Sequence, residues 1–220
     1  VTTTNVAFVI PRNNWTTGTI YDTYRHDYGE FKTGSTTAKV VSTGNKTTLF
    51  DSLFYVLNSD FNVYKCLDNN SGAQSTVQPT GTNINTLETA DGYKWKYLYT
   101  LTAAEQTNFL STDFMAVTEN VNAGTGQSNV ISAAVDGKID IIKIKSPGSG
   151  GINGTFTNID IKGDGSAGKC SVTVAGGLIT AVTVTTGGTG YTFGTVSNAQ
   201  IIAAGSTDLA GGELDVIIGP

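Results

Sequence analysis

The clearest pattern in the chain is a strict alternation of aromatic and polar residues. It runs Tyr93-Lys94-Trp95-Lys96-Tyr97-Leu98-Tyr99-Thr100-Leu101. Successive side chains of a strand point to opposite faces, so Tyr93, Trp95, Tyr97, Tyr99 and Leu101 share one side. Asp91-Gly92 opens this strand with a turn signal. Thr102 followed by Glu105 is a capping box, which predicts a short helix over 102–110. Upstream, Val63-Tyr64-Lys65-Cys66-Leu67 reads as a strand, and Asn58-Ser59-Asp60-Phe61-Asn62 as the turn before it. The apolar run Asp51 to Leu57 fits either a helix or a strand; as a strand it completes a hairpin. Asp68 to Asn83 is a long polar loop.

The texture changes after about residue 118. Glu119 to Ser128 is polar and glycine-bearing, and residues 119–130 are read as a linker. Beyond it the chain is rich in Gly, Val, Ile and Thr, with only Phe156, Tyr191 and Phe193 as aromatics. It also repeats. Gly137-Lys138-Ile139-Asp140-Ile141-Ile142-Lys143-Ile144 aligns with Gly177-Leu178-Ile179-Thr180-Ala181-Val182-Thr183-Val184. In the same frame Gly148 meets Gly188, Gly150 meets Gly190, Gly154 meets Gly194 and Ile161 meets Ile201. After a short insertion, Cys170–Val174 meets Leu214–Ile218. One copy is too small to bury its own apolar face, so the two copies are expected to pack on each other. The reading is therefore mainly β: a β-sandwich-like module over 1–118 with one or two short helices, the linker, and over 131–220 a duplicated antiparallel unit with copies at 137–176 and 177–218.

Composition sharpens this picture. Of 220 residues only 14% are charged, against about 25% in an average globular protein. Twenty-seven glycines and many threonines suit short strands joined by tight turns. A net charge of -5 argues against nucleic acid as a partner. No apolar run approaches a membrane span, and the start does not read as a secretory signal. Cys66 and Cys170 each sit in an apolar strand and are expected to be buried free thiols. The chain opens at Val1 without an initiator methionine and closes at Gly219-Pro220 just after an apolar strand, so it is expected to be part of a longer protein.

Catalytic chemistry is hard to assemble from these residues. His26 is the single histidine, and neither a zinc-ligand spacing nor a nucleophile elbow accompanies it. Eighteen acids are present, but most sit in turns, and none forms a marked pair for glycoside hydrolysis. The glycine-rich loops lack the following helix that a phosphate cradle requires. Asp164 lies between glycines without the several carboxylates calcium needs. No catalytic residue, metal or cofactor is assigned. The stripe from Tyr93 to Tyr99 reads first as a packed sheet face or an interface, and second as a carbohydrate platform.

Three segments together resemble a known family: Val9-Ile10-Pro11-Arg12-Asn13-Asn14-Trp15, Val63-Tyr64-Lys65-Cys66-Leu67-Asp68, and Ala90-Asp91-Gly92-Tyr93-Lys94-Trp95-Lys96-Tyr97-Leu98. In this order they are similar to the baseplate wedge protein that is the eighth gene product of T-even-type contractile-tail phages. The resemblance covers residues 6 to 110. The glycine-rich repeat departs from that pattern and resembles β-modules inserted into structural proteins of marine relatives of those phages. The family's opening and closing segments have no counterpart here.

The resemblance implies a non-enzymatic scaffold that forms a homodimer and binds other baseplate wedge proteins. It would be assembled in host cytoplasm and end in the virion. Trp, Tyr and Arg dominate interface hot spots, so Arg12, Trp15, Tyr93, Trp95 and Tyr97 become contact candidates. Trp15 reads equally well as core. Two alternatives stand beside this: a carbohydrate- or receptor-binding module using Tyr191 and Phe193 in the glycine loops, and a tail-associated glycan hydrolase.

Overall fold

A computed structural model describes residues 6–27, 52–118 and 126–219. Residues 119–125 of the expected linker, Asp51, and both chain ends lie outside the described residues. The chain divides into two compact units, Val1–Ala133 and Ala134–Pro220. It is mainly β, with several antiparallel sheets and three short helices among the described residues.

The first unit is organised around a four-stranded antiparallel sheet. Its strands are β2 (Tyr55–Leu57), β3 (Asn62–Asp68), β4 (Leu87–Glu88) and β5 (Lys94–Thr100), in the order β2-β3-β5-β4. Within that apolar run, the described residues 52–57 form a strand only at Tyr55–Leu57. Asn58 shapes the β2–β3 turn, its side-chain oxygen accepting from the amides of Asp60 and Asn62. In β5 buried and half-buried residues alternate without a break. Tyr93, Trp95 and Tyr97 join Tyr21, Phe54, Val56, Tyr64 and Cys66 in one core. Tyr99 and Leu101 join Leu57, Val63 and Met115 in another.

A separate two-stranded ribbon pairs β1 (Val9–Pro11) with β6 (Phe114–Ala116). Helix α1 (Ala103–Phe109) starts at the expected capping box, with Thr102 and Glu105 capping reciprocally. A second helix, α2 (Gly126–Ser132), occupies a stretch read as linker. Its Gly, Gln, Ser and Asn residues resemble a loop, but Val130 packs against the aromatic core of β5. That contact, invisible in composition, holds the helix and moves the unit boundary to Ala133/Ala134.

The long polar loop between β3 and β4 is pinned from beneath by tyrosines. Tyr93 Oη donates to Ala73 O, and Tyr64 Oη to Gly81 O. Burial pushes both phenols up to about 12, so they remain protonated donors. Asn58 Nδ2 adds a bond to Pro79 O at 3.0 Å.

The second unit contains β7 (Ile139–Ser149), β8 (Gly154–Asp160), β9 (Lys162–Gly163), β10 (Lys169–Ala175), β11 (Leu178–Thr186), β12 (Gly194–Thr195), α3 (Asn198–Ala203) and β13 (Ala210–Ile218). Its pairing shows how the two copies combine. The first strand of each copy pairs with the last strand of the other: β7 with β13, and β11 with β10. The registers coincide position by position. Cys170 faces Val184 as Leu214 faces Ile144, and Val172 faces Val182 as Val216 faces Ile142. Both ladders shift register at matching places, between Lys169/Cys170 and Glu213/Leu214, and again between Thr173/Val174 and Ile217/Ile218. The copies are therefore interlocked about a local pseudo-two-fold and share one core of Ile139, Ile142, Ile159, Cys170, Val172, Ile201 and Val216.

The symmetry breaks most at β8. β8 continues as a strand, whereas the matching stretch of the second copy becomes α3. Ser197 and Gln200 form a capping box there, a signal the sequence carried but that was read only as part of the repeat. Asn198 then does with its side chain what β8 does with its backbone: Nδ2 donates to Leu209 O and Oδ1 accepts from Gly212 N. Ile161 and Ile201 are both buried despite the change.

The matched glycines follow the same symmetry. Gly148 and Gly188 have φ of +68° and +66°. A Cβ on Gly188 would lie 2.4 Å from Ser166 O, and one on Gly148 2.8 Å from Ala210 O. Gly190 shares the left-handed conformation (φ +72°), but nothing lies within 4 Å of its Cβ position. Gly190→Ala should therefore cost only the backbone term of about 1 kcal/mol. Gly188→Ala should cost at least about twice that, because backbone atoms must also move. Urea unfolding of the two variants checks this; equal losses would refute the steric part.

Candidate functional site

After β1 the chain passes along the edge of β2 as a strap. Pro11 ends the ribbon, and Arg12 N donates to Asp113 O at 2.8 Å. Leu57 N donates to Asn13 O, and Trp15 N donates to Leu57 O. The strap thus satisfies backbone groups that a sheet edge would otherwise leave open. Between strap and β2–β3 turn lies a groove of about 280 Å³, lined by Arg12, Asn14, Leu57, Asn58, Ser59 and Phe61. Arg12 is oriented within it by two bonds, Nε to Asn14 Oδ1 and Nη1 to Ser111 O, each 2.8 Å. Phe61, in the left-handed region at φ +58°, forms the facing wall.

Trp15 turns the other way. Its ring packs against the aromatic core, and Nε1 donates to Ser75 Oγ at 3.0 Å. Ser75 Oγ donates in turn to Asp91 Oδ2. Asp91 is a hub, also accepting from the amides of Thr76, Val77 and Tyr93 and from the hydroxyl of Thr89. Partial burial works to raise its pKa, but the hydroxyl and amide donors outweigh that and hold the carboxyl at about 2.

These placements revise the contact candidates. Tyr93, Trp95 and Tyr97 are buried inside the first unit and cannot meet a partner or a sugar without unfolding it. The alternating stripe is the core face of a sheet, because Tyr21, Phe54 and α2 cover it. Trp15 is half-buried core. Arg12 alone of that set borders an open groove. Beside it, at the β1–β6 ribbon, Phe8 (70%), Val9 (46%) and Phe114 (48%) are exposed; Val9 opens the first resemblance segment, and Phe8 and Phe114 carried no sequence signal of contact. A three-residue strand has too little alternation to tell inside from outside.

In the second unit Tyr191 is buried, its hydroxyl donating to Ile161 O and accepting from Gly168 N. It is a core strut and does not line a ligand loop. Phe193 is 54% exposed on that loop. Asp164 clamps the loop, accepting from Thr192 N and Phe193 N and from the Thr192 hydroxyl. The hydroxyl and amide bonds of Thr192 hold its carboxyl at about 2.

Among the described residues no group of three or more His, Cys, Asp or Glu side chains could hold a metal ion. His26 lies half-buried in a turn. Neither Cys66 nor Cys170 forms a disulfide, and both are buried; burial pushes the Cys170 thiol up to about 11.

The Asp91 hub generates a pH prediction. Its folded pKa lies below the ordinary 3.8, so the stability it contributes is present above that value and is lost as pH falls toward 2. Asp91→Asn should cost about 2 kcal/mol at neutral pH, since several donors lose a charged acceptor. Its loss of stability on acidification should also be shallower than that of the unaltered chain. Thermal unfolding from neutral pH down to strong acid measures both. Against known proteins, the chain matches no family model, no curated protein and no solved structure.

Proposed function

We propose that the chain is a structural subunit of a contractile phage tail baseplate, of the wedge type, working through protein–protein contacts during virion assembly. What supports the reading is that the three segments carrying the resemblance join in one framework. Trp15 of the first reaches Asp91 of the third through Ser75, and Cys66 of the second pairs in register with Trp95 of the third. The exposed apolar ribbon of Phe8, Val9 and Phe114 is the kind of surface that marks an association site. In this reading the protein acts by shape and adhesion and not by catalysis. Its partners are neighbouring wedge proteins and a second copy of itself, and its final place is the virion.

Mixing the purified chain with neighbouring wedge proteins, followed by analytical ultracentrifugation, tests this. Phe8→Ser should weaken association at least about tenfold, as expected of a hot-spot position. It should leave thermal stability within about 0.5 kcal/mol, because the side chain is exposed. Sedimentation as an unassociated monomer with every partner would count decisively against assembly.

A second reading, a receptor- or carbohydrate-binding module, draws on one observation: exposed Phe193 on a loop fixed by Asp164. A glycan array on which the chain and Phe193→Ala give equal signals would remove it.

A further inference from the structure

We infer that the groove beside Arg12 is a docking site for an acidic side chain flanked by an apolar residue on a partner polypeptide. This deepens the assembly reading, on which it rests, by naming the chemistry of one contact. The argument begins with charge. The chain has 18 acids against 13 Lys and Arg, yet no carboxylate among the described residues pairs with Arg12. A guanidinium carries five N–H donors. Two are committed, to Asn14 Oδ1 and Ser111 O, leaving three without a protein acceptor among the described residues. The two bonds made also fix the plane of the group, so little side-chain freedom remains to be lost on binding.

The walls narrow the ligand class. Leu57 and Phe61 are apolar, and Asn14, Asn58 and Ser59 are neutral. One cation among neutral groups matches a single carboxylate. A phosphate dianion would call for further cations or a nest of backbone amides. The volume, about 280 Å³, sits at the lower edge of the range of about 300–1,000 Å³ usual for small-molecule pockets. It suits one or two side chains: a carboxylate on the free guanidinium edge and an aliphatic or aromatic neighbour against Phe61.

Two probes test the assignment on the full chain. One is the acetylated, amidated pentapeptide glycyl-leucyl-aspartyl-leucyl-glycine; the other is its asparaginyl counterpart. Titrations followed by amide NMR should show saturable shifts at Leu57 to Phe61 and at Arg12 Nε with the aspartyl peptide. The asparaginyl peptide should bind at least about tenfold more weakly, the difference one well-formed charge pair makes. Arg12→Ala should abolish the shifts and Arg12→Lys should retain part, since lysine keeps the charge without the planar fork. Phe61→Gly removes the apolar wall at a backbone position that favours glycine. It should weaken binding severalfold while leaving the fold intact.

Equal affinity of the two peptides, or unaltered binding by Arg12→Ala, would overturn the inference. Complete displacement by inorganic phosphate or acetate at matched concentration would also overturn it, reducing the groove to a simple anion site. If the aspartyl peptide binds but no wedge protein associates, the assembly reading falls and the groove stands. If assembly proceeds unchanged in Arg12→Ala and the peptide does not bind, only the groove assignment falls.

Discussion

The alternate positions of β5 in the first unit and of β10 in the second form apolar faces that are unfavourable to leave in water. The two units meet this constraint differently. In the first, the aromatic side of β5 is covered by residues from distant parts of the same unit: Tyr21, Phe54 and α2. The rings interlock at characteristic geometries, such as the 5.3 Å stack of Tyr93 on Trp95 and the edge-on approach of Tyr21 to Trp95 at 5.6 Å. Pairs of this kind contribute about 0.5–1.5 kcal/mol each beyond the area they bury. In the second unit, two copies of one small motif exchange strands, so that each supplies the partner strand the other lacks.

Covering the β5 face has a consequence for function. Aromatic residues that could have formed an adhesive surface are spent on the core, and the polar loops above are tied to it through tyrosine hydroxyls and Asp91. Among the described residues, the exposed apolar positions at the β1–β6 ribbon and the groove at Arg12 lie outside that core. The groove depends on the strap along β2, which places Arg12 opposite the Asn58–Phe61 turn. The groove is thus built on hydrogen-bonded backbone on both sides, giving the guanidinium a fixed setting.

The interlocked module shows how strongly pairing constrains sequence. Matched bulges and left-handed glycines recur in both copies, because each copy repeats the same strand and turn sequence in its own ladder. The largest departure, α3 in place of a strand, is accommodated where Asn198 supplies side-chain bonds and Ile201 still fills the core.

Much of this was legible in the amino-acid sequence. Alternation located β5 and its buried face, the Thr102–Glu105 box located α1, and the glycine frame exposed the duplication, because these signals depend on neighbours within a few residues or on exact recurrence. Which surface the β5 stripe meets was not legible: the sequence fits a packed face or an interface equally, and the tertiary structure makes it core. The same limit hid α2, whose polar residues are held by Val130, and the groove, whose walls come from segments more than forty residues apart. Local chemistry specifies a strand and its two faces. Only the tertiary structure decides what lies against each face, because burial is a property of the partners brought together and not of the residues taken alone.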